Sequence, residues 1–254
     1  MFEEALAACA ENLRRGDPDR FLALMAAPPP ARRVLLPLYA FNLEVARAPW
    51  VSAEPTIGAI RLEWWREALG EIAEGRPVRR HEVTLPLAEV LDAEGARLLD
   101  ELVVARWADL ERAPFADVAA LGRYLEATGG RLMQVAGRLL GAGEAEVALA
   151  ALGSASGLAN WCLAVPELLA RGHAPLPPEG EEALAALARE RLAAFRAARK
   201  ALPRAARPAA LAAWRAPAIL PRVARDPAAV AEGRLAQSEF RRRGSLLLAS
   251  LFGV

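Results

Sequence analysis

Between Val147 and Pro166 the chain carries no charged residue, and that run restricts what the whole can fold into. About twenty apolar residues suffice to cross a bilayer as a helix. Gly153, Ser154, Ser156, Gly157 and Asn160 dilute the run, however, and weaken its preference for lipid. A helix covered on all sides inside a large helical domain shows the same pattern, and the sequence favours that reading.

The rest of the chain can supply such a domain. It has 254 residues, 54% apolar and 25% charged, with no evident linker, so residues 1–254 are expected to form one domain with a substantial core. Alanine and leucine dominate, β-branched residues are sparse, and apolar positions recur every three or four residues, which predicts an all-α fold. The net charge of +1 argues against an extended nucleic-acid surface. Cys9 and Cys162 are too few and too far apart for a disulfide framework, and with His81 and His173 they do not suggest a zinc centre. Acidic residues near the N-terminus and the lack of an early apolar run suggest a cytoplasmic setting.

Local signals divide the chain into helices. Leu6, Cys9 and Leu13 form one stripe over Phe2 to Arg15, and Asp17 and Asp19 can cap a short helix from Arg20 to Ala26. Pro28, Pro29 and Pro30 make a stiff break. In the next helix Leu35, Leu38, Phe41, Val45 and Ala46 share a stripe, and Pro49 should end it near Ala48. After Pro55 a second helix is expected to bury Ile57, Ile60, Trp64, Ala68 and Ile72. Gly75 to Pro86, with Arg76, Arg79, Arg80 and His81, reads as a solvated loop. Helix is expected again from Leu87 to about Ala113, with Leu87, Leu91, Leu98, Leu102 and Ala105 inward, and from Ala183 to Leu202. Pro203, Pro208, Pro217 and Pro221 should then cut the chain into short pieces.

Three separated blocks resemble the squalene/phytoene synthase family. From Tyr39 to Trp50 the chain is similar to the family's first signature, in which a Tyr-Ala-Phe-Cys-Arg run leads into an Asp-rich box. Tyr39, Ala40 and Phe41 match, Asn42 and Leu43 replace Cys-Arg, and Ala46, Arg47 and Trp50 occupy the acidic positions. Tyr124, Thr128, Gly129 and Gly130 match a helix that lines the family's cavity. From Gly153 to Pro177, Leu158 and Asn160 match the second acidic motif, and Arg171, Gly172, Leu176 and Pro177 match the turn after it. Leu163 replaces the motif's arginine, and Ala164 and Leu168 replace its aspartates.

The resemblance implies a single-domain helical isoprenoid-synthase fold of the head-to-head prenyltransferase type. Its central cavity would be lined by Tyr39, Phe41, Trp64, Tyr124 and Asn160. Family enzymes hold Mg²⁺ and diphosphate with paired carboxylates one helical turn apart. Here those carboxylates are replaced, and Pro49 and Pro166 are expected to break the helical frames that would aim them. No catalytic residue, metal or cofactor is therefore expected. Leu38 to Glu44 and Glu54 to Leu69 resemble the noncatalytic branch that includes the mitochondrial complex I assembly factor and its bacterial relatives. That branch implies a protein partner, either a subunit or an assembly intermediate of NADH:quinone oxidoreductase.

Two other functions fit the same residues. A divergent prenyltransferase would need substitute ligands, for which Glu44, Glu63, Glu67 and Glu167 are candidates, although Glu63 and Glu67 read better as partners of Arg66. An isoprenoid or lipid carrier would keep the apolar channel without the chemistry, with Arg47 and Arg61 as an anion cradle. The basic run Arg241 to Arg243 before an apolar tail suggests peripheral contact with the inner face of a membrane or with a partner, though burial against the bundle fits the tail better.

Overall fold

The computed structural model describes residues 2–52, 54–111 and 113–252, and among these there is no strand. Helix α1 (Phe2–Gly16) buries Leu6, Cys9 and Leu13, the stripe its periodicity predicts. Asp17 then accepts a hydrogen bond from the Arg20 amide at 3.0 Å, and Pro18 fills the first turn of α2 (Pro18–Ala26). This cap satisfies an amide that the helix itself cannot pair. The proline run delivers Pro29 to the first turn of α3 (Pro29–Arg47), where the missing N–H costs nothing. Every residue from Leu35 to Val45 except Glu44 is buried, so α3 is a central rod rather than a one-sided helix.

Beyond α3 a single 3₁₀ turn, Ala48–Trp50, carries Pro49. Helix α4 (Pro55–Ala73) corrects the expected inward face. Gly58, Leu62, Trp65, Ala68, Leu69 and Ile72 are buried, whereas Ile57 and Ile60 are 40% and 64% exposed. The stripe is rotated because α4 has two partners: Trp65 packs edge-on against Phe41 of α3, and α6 covers another side, where Arg66 reaches Asp100 at 2.9 Å. The expected loop after α4 is also tied down. Arg79 pairs with Glu71 at 2.6 Å and Glu67 at 2.9 Å, with its guanidinium 5.2 Å from the Trp64 ring centre.

The long helix expected from Leu87 is two helices, α5 (Thr84–Val90) and α6 (Ala93–Ala105), followed by a 3₁₀ stretch, Arg106–Leu110. Asp92 makes the break by capping α6, its carboxylate accepting from the Gly95 amide at 2.7 Å. Leu98 and Ala105 are only half-buried, and Leu99 and Val103 take the inward places. Helices α7 (Val118–Leu125) and α8 (Arg131–Leu139) are joined without interruption by a π-helical turn, Glu126–Gly130.

The uncharged run forms α9 (Glu146–Ala170), packed against α7, the π turn and α8 on one side. On the other it meets α10 (Glu181–Lys200), α12 (Ala216–Arg225) and α13 (Ala228–Ala231), with the short α11 (Arg207–Ala210) beside it. By length and apolar content it is the one segment among the described residues able to span a bilayer. It packs within the bundle, with Leu149, Leu152, Leu158, Ala159, Cys162 and Val165 buried, but it is not covered on all sides: half of its apolar window is buried, and Val147, Asn160 and Ala164 are exposed. Two prolines expected to break helices do not. Pro166 lies within α9, which runs on to Ala170, and Pro221 lies within α12.

Helix α14 (Glu239–Phe252) closes the fold. Its Arg242 reaches Asp19 of α2 at 2.9 Å, and the same carboxylate is paired with Arg215. One core runs from Leu6 in α1 to Ala249 in α14.

Candidate functional site

Between α2, α3, α7, α8 and α9 lies a cavity of about 370 Å³. Helix α3 and the turn after it contribute Tyr39, Asn42, Ala46 and Trp50, spaced at three and four residues and so aligned on one face. Helix α9 faces them with Gly153, Gly157, Asn160, Ala164 and Leu168, again at helical spacing. Leu125, Leu132 and Met133 give the wall an apolar stretch. Asn160, Ala164 and Glu167 are exposed, which places the cavity mouth beside the last turns of α9.

The glycines explain how α9 comes so close. A Cβ on Gly129 would lie 2.5 Å from the Gly153 carbonyl oxygen, and one on Gly153 would lie 2.2 Å from the Gly129 oxygen. Backbone meets backbone here, so no larger residue fits at either position. The close helix contact and the cavity wall, which the sequence could not separate, are therefore the same feature: both glycines also line the cavity.

Of the residues expected at the cavity, Tyr39, Tyr124 and Asn160 line it, as do Ala46, Trp50, Ala164 and Leu168. Three do not. Phe41 is fully buried against Trp65, ring centres 5.2 Å apart, because two residues from Tyr39 along a helix is the opposite side. Trp64 packs on Trp65 and His81 beneath Arg79. Arg47 is exposed, with its guanidinium 3.3 Å from the Asn12 side-chain oxygen. Arg61 is likewise outside the cavity, 3.7 Å from Glu44, so the two do not form an anion cradle there.

A buried polar cluster on the wall was not evident from sequence. The Tyr124 hydroxyl donates to Asp109 at 2.7 Å and accepts from Arg106 at 2.6 Å, and Arg106 also donates to Asp109 at 3.1 Å. Burial opposes the Arg106 charge, but Tyr124 and the Asp109 carboxylate outweigh it and push the guanidinium further up. Burial, ahead of the neighbouring carboxylate, drives the Tyr124 phenol well above its usual range despite Arg106. The three-residue spacing of Arg106 and Asp109 was a usable signal. Their meeting with Tyr124 across the intervening loop was not. Phe115 and Trp161 complete the surround, each within 5.6 Å of the Tyr124 ring centre.

The wall's donor set does not fit Mg²⁺. This ion takes oxygen ligands and needs carboxylates free to share it with phosphate. Asp109 is held by Arg106 and Tyr124, and Glu167 is paired with Arg171 at 2.7 Å. Glu63 and Glu67 belong to ion pairs with Arg66 and Arg79 away from the cavity. Among the described residues no three His, Cys, Asp or Glu side chains gather as a metal site would require.

This architecture is that of a helical isoprenoid synthase. A crystallised dehydrosqualene synthase superposes with a TM-score of 0.73 at 15% identity, covering 99% of this chain and 97% of its own. The squalene synthase HpnC from Alicyclobacillus acidocaldarius gives 0.72 at 17% identity, covering 89% and 95%. Likeness at such identity fixes the fold alone. The squalene/phytoene synthase family model matches residues 13–242, and the chain belongs to that family. Among characterised relatives, complex I assembly factor 6 of Bos taurus is 26% identical over 172 residues, covering 62% of this chain and 48% of that protein. The Drosophila melanogaster homolog is 28% identical over 180 residues, covering 67% and 53%. The chain thus spans about half the length of these relatives.

Proposed function

We propose that this protein is a noncatalytic member of its family, a scaffold that assists assembly of NADH:quinone oxidoreductase by binding one of its subunits or intermediates. One observation carries the noncatalytic part. Ala46, Trp50, Ala164 and Leu168 line the cavity at helical spacing where paired carboxylates would be needed, and the wall's two acidic residues are held by arginines. Without a cation, a diphosphate leaving group would separate into a largely apolar space unneutralised. The frame of α9 persists through Pro166, so it is the ligand atoms that are missing there rather than the helix.

Similarity to the assembly factors supports the assembly role. Affinity purification from the native host should recover complex I subunits with the chain. Mg²⁺-dependent release of pyrophosphate from farnesyl or geranylgeranyl diphosphate should be absent; measurable turnover would overturn the noncatalytic reading.

We also propose that the protein is cytoplasmic and acts peripherally at the inner face of the membrane. Support comes from α14, where the expected burial of the tail against the bundle does not hold: Arg242 and Ala249 anchor its inner side, while Phe240, Leu247, Leu248 and Leu251 form an exposed face beside Arg241 and Arg243. Basic residues flanking such a face suit an anionic bilayer surface. Co-flotation with phosphatidylglycerol vesicles, lost in Leu247→Glu/Leu251→Glu, is the expected result. Equal binding to neutral vesicles, or none, would count against it.

A further inference from the structure

Helix α12 and the start of α14 border a cleft of about 730 Å³ that shares no lining residue with the central cavity. Arg222 and Arg225, one turn apart on α12, line it together with Gln237, Ser238 and Arg241. Its walls carry these three arginines and no acidic residue. Nearby arginines are matched: Arg234 pairs with both Asp226 and Glu232, and Arg242 and Arg243 share Glu239. Positive charge gathered around one cleft without a counter-charge favours an anion from outside.

The lining groups ask for two kinds of partner. Arg222 donates to the main-chain carbonyls of Arg234 and Leu235, the latter at 2.8 Å, which holds the approach to α14 but leaves the guanidinium charge unbalanced. Arg225 and Arg241 are exposed, and among the described residues neither forms an ion pair, because Asp226 beside Arg225 is held by Arg234 at 2.8 Å. Ser238 accepts the Arg241 amide at 3.4 Å, so its own hydroxyl hydrogen is free to donate. Gln237 has the opposite need, since its side-chain oxygen is buried without a donor. An oxyanion satisfies the arginines and Ser238, and a hydroxyl satisfies Gln237. A polyol phosphate carries both.

Arg241 also borders the exposed face of α14. Phe240 precedes it, and Leu248, two turns on, projects from the same side of the helix; they are 88% and 59% exposed. We propose that the cleft seats the headgroup of an anionic glycerophospholipid, its phosphate on Arg225 and Arg241, a headgroup hydroxyl on Gln237, and its acyl chains along Phe240 and Leu248. Phosphatidylglycerol carries both polar groups. Phosphatidylcholine lacks the hydroxyl and would bring a cation among three guanidiniums. The cleft lies within the roughly 300–1,000 Å³ usual for small-molecule sites. The inference rests on the membrane contact proposed above and adds to it a discrete site for one headgroup, where flanking basic residues alone give diffuse attraction.

Isothermal titration of the full chain with dihexanoylphosphatidylglycerol, below its micellar concentration, tests the proposal. Saturable binding of one lipid per chain is expected, with dihexanoylphosphatidylcholine and glycerol 1-phosphate each weaker by about 10-fold or more. Arg225→Gln/Arg241→Gln should weaken binding by about 10-fold or more, whereas Arg97→Gln, which removes the same kind of charge from α6, should stay within about 2-fold. Gln237→Leu should cut the preference for phosphatidylglycerol over phosphatidylmethanol, which has the charge but no hydroxyl, by about 3-fold. Vesicle flotation separates the site from the membrane contact. Flotation without saturable binding of the short-chain lipid would overturn the site and leave the contact standing. One-site binding without flotation would support the site and overturn the contact. Glycerol 1-phosphate bound as tightly as the lipid would assign the cleft to a soluble phosphate ester and overturn the lipid. Equal binding of phosphatidylcholine, wild-type affinity in the double variant, or an equal loss in Arg97→Gln would overturn the proposal as well.

Discussion

At Gly153 an added Cβ would sit 2.2 Å from a neighbouring backbone oxygen. At Ala164, about three turns further along the same helix, the side chain is already exposed at the cavity mouth. Both residues line one cavity, but their surroundings differ in kind: backbone packed on backbone at the first, open space at the second. The contrast teaches where this member of the family resists change. The contact that shapes the hollow is sterically fixed, whereas at Ala164, one of the positions that would carry a metal ligand, the side chain already faces open space.

Substitutions can break or sharpen that contrast. Gly153→Val should have the largest effect, destabilising the fold by about 3 kcal/mol or more in urea titrations, because the backbone cannot yield. Gly157→Ala, whose Cβ would meet Leu125 at an ordinary 3.4 Å, should stay within about 1 kcal/mol of wild type. Comparable losses in the two variants would mean that the tight contact is not what limits the wall.

Arg106→Met comes next, since it strands Asp109, whose side chain is 7% exposed. A loss of about 3 kcal/mol is expected, partly recovered when Asp109→Asn is added, and a double-mutant cycle measures the recovery.

A smaller effect concerns acid. Hydrogen bonds from the Arg79 side chain and amide hold the Glu71 carboxyl below its ordinary 4.5. Its stabilising contribution is therefore complete above that value and lost as pH falls through the lower, folded-state value. Glu71→Gln should cost about 1 kcal/mol at pH 7 and flatten the acid limb of the stability profile. Smallest of all, Ala164→Asp should change stability by less than about 0.5 kcal/mol. A larger penalty would show that the mouth is as constrained as the glycine contact.

Much of the fold was legible because strong local signals agreed with packing. The stripe of Leu6, Cys9 and Leu13, the cap at Asp17 and the end of α3 before Pro49 each follow from neighbours in sequence. The inward face of α4 did not, because its apolar residues cover both sides: Ile57 and Ile60 compete with Leu62 and Trp65, and packing against α3 and α6 decides. Proline misled at Pro166 and Pro221, where surrounding packing holds a helix that local preference would break.

At the site, Tyr39, Tyr124 and Asn160 came from motif resemblance. Phe41 and Trp64 were misplaced because proximity along a helix is not proximity around it. Arg20 gave no local signal, since it reaches the cavity only once α2 has packed beside α3.

The double pairing of Asp19 has a consequence for how the molecule is made. Its partners, Arg215 and Arg242, are synthesised roughly two hundred residues after it. A growing chain must leave that carboxylate waiting until residues 215 and 242 have both emerged from the ribosome, so the clasp between α2 and α14 forms only after every helix between them has been made. Polypeptides cut short before residue 242 would lack it, and quality-control proteases would meet them with that end of the bundle unfastened.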